Sequence, residues 1–344
     1  MTVAEHQPPR ALPGREGRRA AALAALALVL VILCLLSMAT GTRSVGWSDI
    51  LAGMGGGTET IGQAAVAARV PRTLLAALAG AALGLSGAIL QGVTRNPLAD
   101  PGILGLNNGA GLAVVIGLAW FGMSAASSFV WVAILGAGAT AVFVYAIGSL
   151  GRGAATPLKL ALAGAATAVA FSSMTIAVVL PRNDISGGAR AWQIGGVGGA
   201  TFDRIELVLP FLLVGMAIAL LSARKLNMLA LGDELAAGLG ERVALARGIA
   251  SLGAVMLCGA ATAACGPISF VGLMVPHAGR LVFGVDHRWL LPCSALGGAA
   301  LLVGADVIGR LAARPSELDV GIVTAFLGAP FFIWIVRRHR VRDL

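Results

Sequence analysis

The chain is poor in charge, in lysine and in aromatic rings. Charged residues fill 12% of 344 positions, against about 25% in a soluble domain. That leaves too little polar surface to wrap a globule of this size in water. Lysine occurs only at Lys159 and Lys225, and neither follows a glycine, so no phosphate-cradling GxxxxGK[ST] loop exists. If ATP drives transport here, a partner must hydrolyse it. Cys34, Cys258, Cys265 and Cys293 fall in or beside apolar runs without CxxC spacing, and read as small buried hydrophobes rather than disulfides or metal ligands. His277 and His287 flank a turn but lack a carboxylate or cysteine at ligand spacing. Capping and packing account for them better than a metal does. No catalytic constellation, metal site or cofactor site emerges.

What is abundant is apolar: 58% of residues are hydrophobic and the mean hydropathy is +0.88. Runs of roughly 20 apolar residues recur along the chain, the signature of an all-α polytopic membrane protein. Ten spans fit, at 20–41, 66–92, 103–121, 128–149, 158–181, 205–223, 244–265, 268–284, 290–311 and 319–337. The eighth is short and interrupted by Pro276, His277 and Arg280. The first ends in Ser37-Met38-Ala39 like a cleavage site, but it exceeds a usual signal core and more spans follow, so it reads as a retained helix. Domain organisation follows: a basic tail at 1–19, one transmembrane domain over 20–338, and a short tail at 339–344. Residues 42–65 and 182–204 form loops on the far side. The second holds Trp192-Gln193-Ile194-Gly195-Gly196, a candidate re-entrant or surface helix.

The formal charge of +9 does not point to nucleic acid, because no basic stripe with interleaved aromatics exists. Arg10, Arg15, Arg18 and Arg19 precede the first span, and Arg337, Arg338, Arg340 and Arg342 close the last. The positive-inside rule then puts both termini in the cytoplasm of a cell-membrane protein. Seventeen basic residues fall inside and eight outside in this arrangement. Forty-eight glycines, as in Gly80-x-x-x-Gly84, Gly87 and neighbouring Ala88, let helix backbones approach closely in lipid. Asp306, Asp100 and Asp286 are the candidate ion-coupling acids. None falls convincingly at a bilayer midplane, and no chain of Asp, Glu or His could relay a proton. A stand-alone ion-coupled transporter is therefore the rival class, and a structural scaffold a third.

One substantial cytoplasmic loop lies within the bundle, Arg224 to Arg247. It predicts two short helices, broken near Gly232 and stopped near Gly238 and Gly240, with Asp233 and Glu234 where a helix N-terminus favours acid. Leu226, Met228, Leu229, Leu231 and Leu239 exceed what a solvated loop needs. The residues alone leave two readings open, an interfacial amphipathic segment or a knob that enters a partner's groove.

Several separated blocks, in order, resemble the FecCD family, the permease subunits of ABC importers for iron–siderophores, heme and cobalamin. They are Arg69-x-Pro71-Arg72, Gly87-Ala88-x-x-Gln91, Asn96-Pro97-Leu98-Ala99-Asp100-Pro101, Gly232-Asp233-Glu234 with Ala236 and Leu239-Gly240, Phe270-Val271-Gly272-Leu273 with Pro276-His277 and Arg280, Asp286-His287-Arg288, Ala305-Asp306, and Gly328-Ala329-Pro330-Phe331. The resemblance covers about Gly46 to Arg338. It implies the ten-helix type II importer architecture, a homo- or heterodimer of permease subunits, an extracytoplasmic binding protein and two ABC ATPase subunits, with no chemistry in this chain. It implies that 226–242, with Gly232, Asp233, Glu234, Ala236, Leu239 and Gly240, couples to the ATPases. It implies that Arg69, Arg72 and Arg310 meet acidic residues of the binding protein, a use suited to a bidentate, always-charged group. Thr156, Pro157 and Leu158 align with an inner gate, although Pro157 and Leu158 depart from the hydroxyl-rich pattern. Asp319 stands where the family has proline, and adds a negative charge to the outer face.

Overall fold

The computed structural model describes residues 14–41, 45–123, 126–150, 157–182 and 192–338. Every regular element among them is helical: α1 Arg15–Ala39, α2 Trp47–Met54, α3 Ile61–Thr94, α4 Leu106–Phe121, α5 Ala126–Gly148, α6 Pro157–Val179, α7 Phe202–Leu221, α8 Ala223–Leu229, α9 Asp233–Gly238, α10 Val243–Cys265, α11 Val271–Phe283, α12 His287–Ala312 and α13 Val320–Arg338. Ten of these correspond to the ten expected spans, and α2, α8 and α9 are short additions outside them. Seven are long and apolar enough to cross a membrane by length and composition, while α4, α11 and α13 are shorter apolar helices. Several starts shift: α1 begins at Arg15, inside the stretch expected to be a tail, and α3 at Ile61 and α7 at Phe202, inside stretches expected to be loops. The end of the bundle that carries α8 and α9 is called the lower end below, and the opposite end the upper.

The centre of the bundle is α3. Its 34 residues reach about 51 Å at 1.5 Å per residue, well beyond a hydrocarbon core of about 30 Å. It packs along α12, α10 and α11. Glycine makes the closest approach possible. A Cβ at Gly80 would strike the Gly298 carbonyl on α12, and one at Gly87 would strike the Gly272 carbonyl on α11. By contrast α1 is peripheral, with Leu28, Val31, Ile32 and Leu35 exposed as a lipid-facing helix requires.

Two helices do not cross alone. The 13 residues of α11 span only about 20 Å. Its first turn lies against Gly87, which is seven residues before the end of α3, roughly 10 Å up by helical rise. Its last turn reaches the lower end, where Gly284 meets Arg19 of α1. So α11 occupies the lower half, and residues 266–270 descend to its start. In the same way 95–105 climbs before α4 begins.

Irregular backbone at membrane depth survives only where protein satisfies its polar groups. Here side chains do so. Asp100 accepts from the N–H groups of Gly102 at 2.8 Å and Ile103 at 3.4 Å, and its Oδ2 lies against Gly272 in the first turn of α11. A carboxylate there complements a helix N-terminus. Asn107 Nδ2 donates to the Ile268 carbonyl at 3.0 Å, and Gln91 Nε2 to that of Gly272 at 3.0 Å. The Trp192–Gly196 segment is one helical turn tucked under the upper end, with Gly196 N–H on the Cys265 carbonyl and Gly321 N–H on that of Gly195.

Candidate functional site

Polar side chains gather at both ends. At the lower end Gly232, with φ of 112°, breaks the chain after α8, and Gly240, with φ of 88°, turns it after α9. Such angles are open to glycine and costly for most residues. The local sequence thus fixes two short helices, as expected. Leu226 and Leu229 anchor α8 in the bundle, and Ala236 is the buried residue of α9. Leu231, Leu235 and Leu239, spaced four apart, are all exposed. Glu234 is exposed beside them.

Asp233 faces the other way. Its carboxylate pairs with Arg95 Nη2 at the end of α3 and with Arg247 Nη2 of α10, the latter at 3.1 Å. Arg95, in the left-handed region at φ 51°, also donates Nε to the Leu229 carbonyl at 2.7 Å. A second clamp joins α8 to α12. Asn227 Nδ2 donates to Asp286 Oδ1 at 2.6 Å, and Asn227 Oδ1 accepts from the His287 backbone N–H at 2.9 Å and lies 2.8 Å from Nδ1 of its ring. Burial pushes the Asp286 carboxyl up. The Asn227 amide, the Arg288 backbone N–H and the Arg288 guanidinium outweigh it and hold the group below the usual carboxylate range. His277, the other histidine among the described residues, sets its ring edge-on to Phe331, with centroids 5.9 Å apart.

At the upper end the three arginines expected to face a docking protein are drawn inward. Arg310 has 2% side-chain exposure and Asp306 has 1%, and they pair at 2.8 Å across one turn of α12. Arg72, 15% exposed, donates Nε and Nη2 to Asp306 at 2.9 and 2.8 Å and Nη1 to Glu317 at 2.6 Å. Arg310 Nη1 donates to the carbonyls of Ser37 and Thr40, each at 2.9 Å. Buried Arg69 donates to those of Met38 at 2.9 Å and Ala39 at 3.3 Å.

A helix C-terminus leaves four carbonyls unmatched and favours cations. The Thr40 N–H takes the carbonyl of Leu36, so all four at the end of α1 are satisfied. Arg69 and Arg310 are therefore struts between α1, α3 and α12, and only Arg72 comes near the surface. One signal was readable in advance: Asp306 and Arg310 stand four apart, the spacing of a helical ion pair.

The gate expectation is reached only in part. Thr156 lies outside the described residues, Pro157 opens α6, and Leu158 is exposed. Proline suits a first helical position, where the missing N–H would lack a partner anyway. Sequence reasoning gave no role to Arg95, Arg247, Asn227 or Asn107. Arg95 follows a helix end directly, which was the available signal.

Residues 29–338 match the FecCD transport family. The chain belongs to this family. Its FecCD relatives include the ferric enterobactin transport system permease protein FepD of Escherichia coli (strain K12), 44% identical over 93% of this chain and 96% of that protein. The iron(3+)-hydroxamate import system permease protein FhuB of Bacillus subtilis (strain 168) is 45% identical over 79% of this chain and 71% of its own length. Among solved structures, a metal-chelate type ABC transporter in an inward-facing conformation superposes with a TM-score of 0.78 at 27% identity, covering 93% of this chain and 99% of that one. This FecCD protein is thus a multi-pass membrane permease of the ABC transporter class.

Proposed function

We propose that the chain is the permease subunit of an ABC importer that moves a ferric siderophore, or a similar large chelate, across the cell membrane toward the cytoplasm. The observation that carries the reading is full-length similarity to the ferric enterobactin permease. Partner ATPase subunits supply the energy, and this subunit carries out no covalent chemistry. A second permease copy or homologue completes the pathway, and an extracytoplasmic binding protein delivers the cargo. The basic residue bias supports both termini being cytoplasmic. The lower end is then the cytoplasmic face, and α8–α9 is the segment that seats on an ATPase.

The exposure of Leu235 on α9 and of Leu231 and Leu239 beside its two ends supports that seat, since a short helix with exposed apolar side chains suits a partner's groove. Glu234 and Gly240 border it. Binding-protein docking falls at the upper rim near Arg72 and Glu317, with Arg69 and Arg310 as its buried foundation. Thr156, Pro157 and Leu158 remain the proposed inner gate. The rival ion-coupled reading is weakened by Asp306, whose carboxylate is engaged by two guanidiniums.

Reconstitution with the co-purified ATPase tests the proposal. Uptake of ferric enterobactin or another ferric chelate is expected to require ATP and to be blocked by vanadate. Uptake driven by a proton gradient without ATP overturns it. Glu234→Arg or Gly240→Trp is expected to abolish uptake while the protein still inserts in the membrane.

A further inference from the structure

Five of the six residues of α9 are exposed and only Ala236 is buried, so little apolar packing fixes this helix to the bundle. Its polar tie is Asp233, gripped between Arg95 and Arg247. Arg95 is placed to do more than pair one charge. It closes α3, the central helix, and its Nε holds the last carbonyl of α8. One guanidinium therefore joins α3 to both short helices. Arg247 lies in the second turn of α10. Beyond the joint, α3 meets α11 and α12 through glycine contacts that leave no slack, so an axial displacement of α3 reaches them directly.

We propose that Arg95, Asp233 and Arg247 form a transmission joint. Asp233 is a positioning residue that passes displacement of α9 to α3 and α10, rather than a residue that binds the ATPase. The proposal rests on the reading that α8–α9 seats on an ATPase. The exposed side chains of Leu231, Leu235 and Leu239 make the seat, and the charged joint behind it carries the motion. Because all three charged side chains are partly exposed, the joint contributes little to fold stability. Its loss is visible in coupling instead.

The test is the number of ferric chelates moved per ATP hydrolysed in the reconstituted complex. Arg95→Ala, Asp233→Ala, the double variant and the conservative Asp233→Glu are compared with wild type. Each alanine variant is expected to keep the ATPase during purification yet lower the ratio at least about 5-fold, the lower end of usual coupling effects. The double variant is expected to be no worse than either single one, and Asp233→Glu to retain the wild-type ratio. An unchanged ratio in Arg95→Ala, or additive losses in the double variant, overturns the joint. Loss of the ATPase from Asp233→Ala during purification also overturns it, by making Asp233 part of the seat. Failure of wild type to hold any ATPase sinks the functional reading itself, a separate outcome.

Discussion

The two ends of this permease use the same chemistry, an aspartate between two arginines, in opposite settings. At the upper end Asp306 is 1% exposed between Arg72 and Arg310; at the lower end Asp233 is 49% exposed between Arg95 and Arg247. Burial decides what each arrangement does. A buried pair that loses one partner leaves a charge stranded in apolar surroundings, whereas an exposed pair that loses one leaves a solvated side chain. The upper cluster therefore holds α1, α3 and α12 in one arrangement. The lower one can open and close cheaply, as a moving part requires.

The largest test of this contrast is Asp306→Asn. It leaves the buried Arg310 guanidinium without a counter-charge and Arg72 with Glu317 alone, and is expected to destabilise the protein by about 3–5 kcal/mol, read as a lowered Tm in detergent or failure to accumulate. A smaller change is expected from Arg69→Ala, which frees the carbonyls of Met38 and Ala39 and costs about 1–3 kcal/mol. A thermal shift below that of Arg95→Ala would show that the α1 cap is not a strut. Arg95→Ala should cost less than about 1 kcal/mol in the same assay while lowering transport. If it unfolds the protein as Asp306→Asn does, the two ends are alike and the contrast fails.

The smallest effect concerns Asp286 in the lower clamp, held below the usual carboxylate range. A depressed folded pKa contributes stability above the unfolded value and loses it as pH falls through the folded one. The advantage of wild type over Asp286→Asn is expected at neutral pH and should fade below about pH 4. A pH-independent difference in Tm would remove the ionic part of the clamp.

The two ends also differ in how far their structure could be read from sequence. The breaks of α8–α9 are local, set by Gly232 and Gly240, and were legible as such. The ten apolar segments were legible because each must bury its own backbone bonds in lipid. The eighth already read as short; where α11 and α4 begin was not legible, since their starts are set by Asp100, Gln91 and Asn107 reaching across the fold. The inward engagement of the upper cluster was not legible for a similar reason. Arg72 meets Asp306 across 234 residues, and an arginine beside a helix end looks the same whether it faces solvent or a neighbour. Only the Asp306–Arg310 pair announced itself locally.

The half-length of α11 bears on how the chain is assembled. Its Leu273 and Met274 N–H groups take the Phe270 carbonyl, but the carboxylate set against the same turn, at Gly272, comes from Asp100, so the start of the helix is complete only once 95–105 has folded against it. This helix cannot therefore settle in lipid alone as α1 can. Its partition into the bilayer waits on α3 and α4, made some 150 residues earlier, so its placement is a step of tertiary folding rather than an independent insertion, and a chain deprived of that turn would leave α11 poorly held in the membrane.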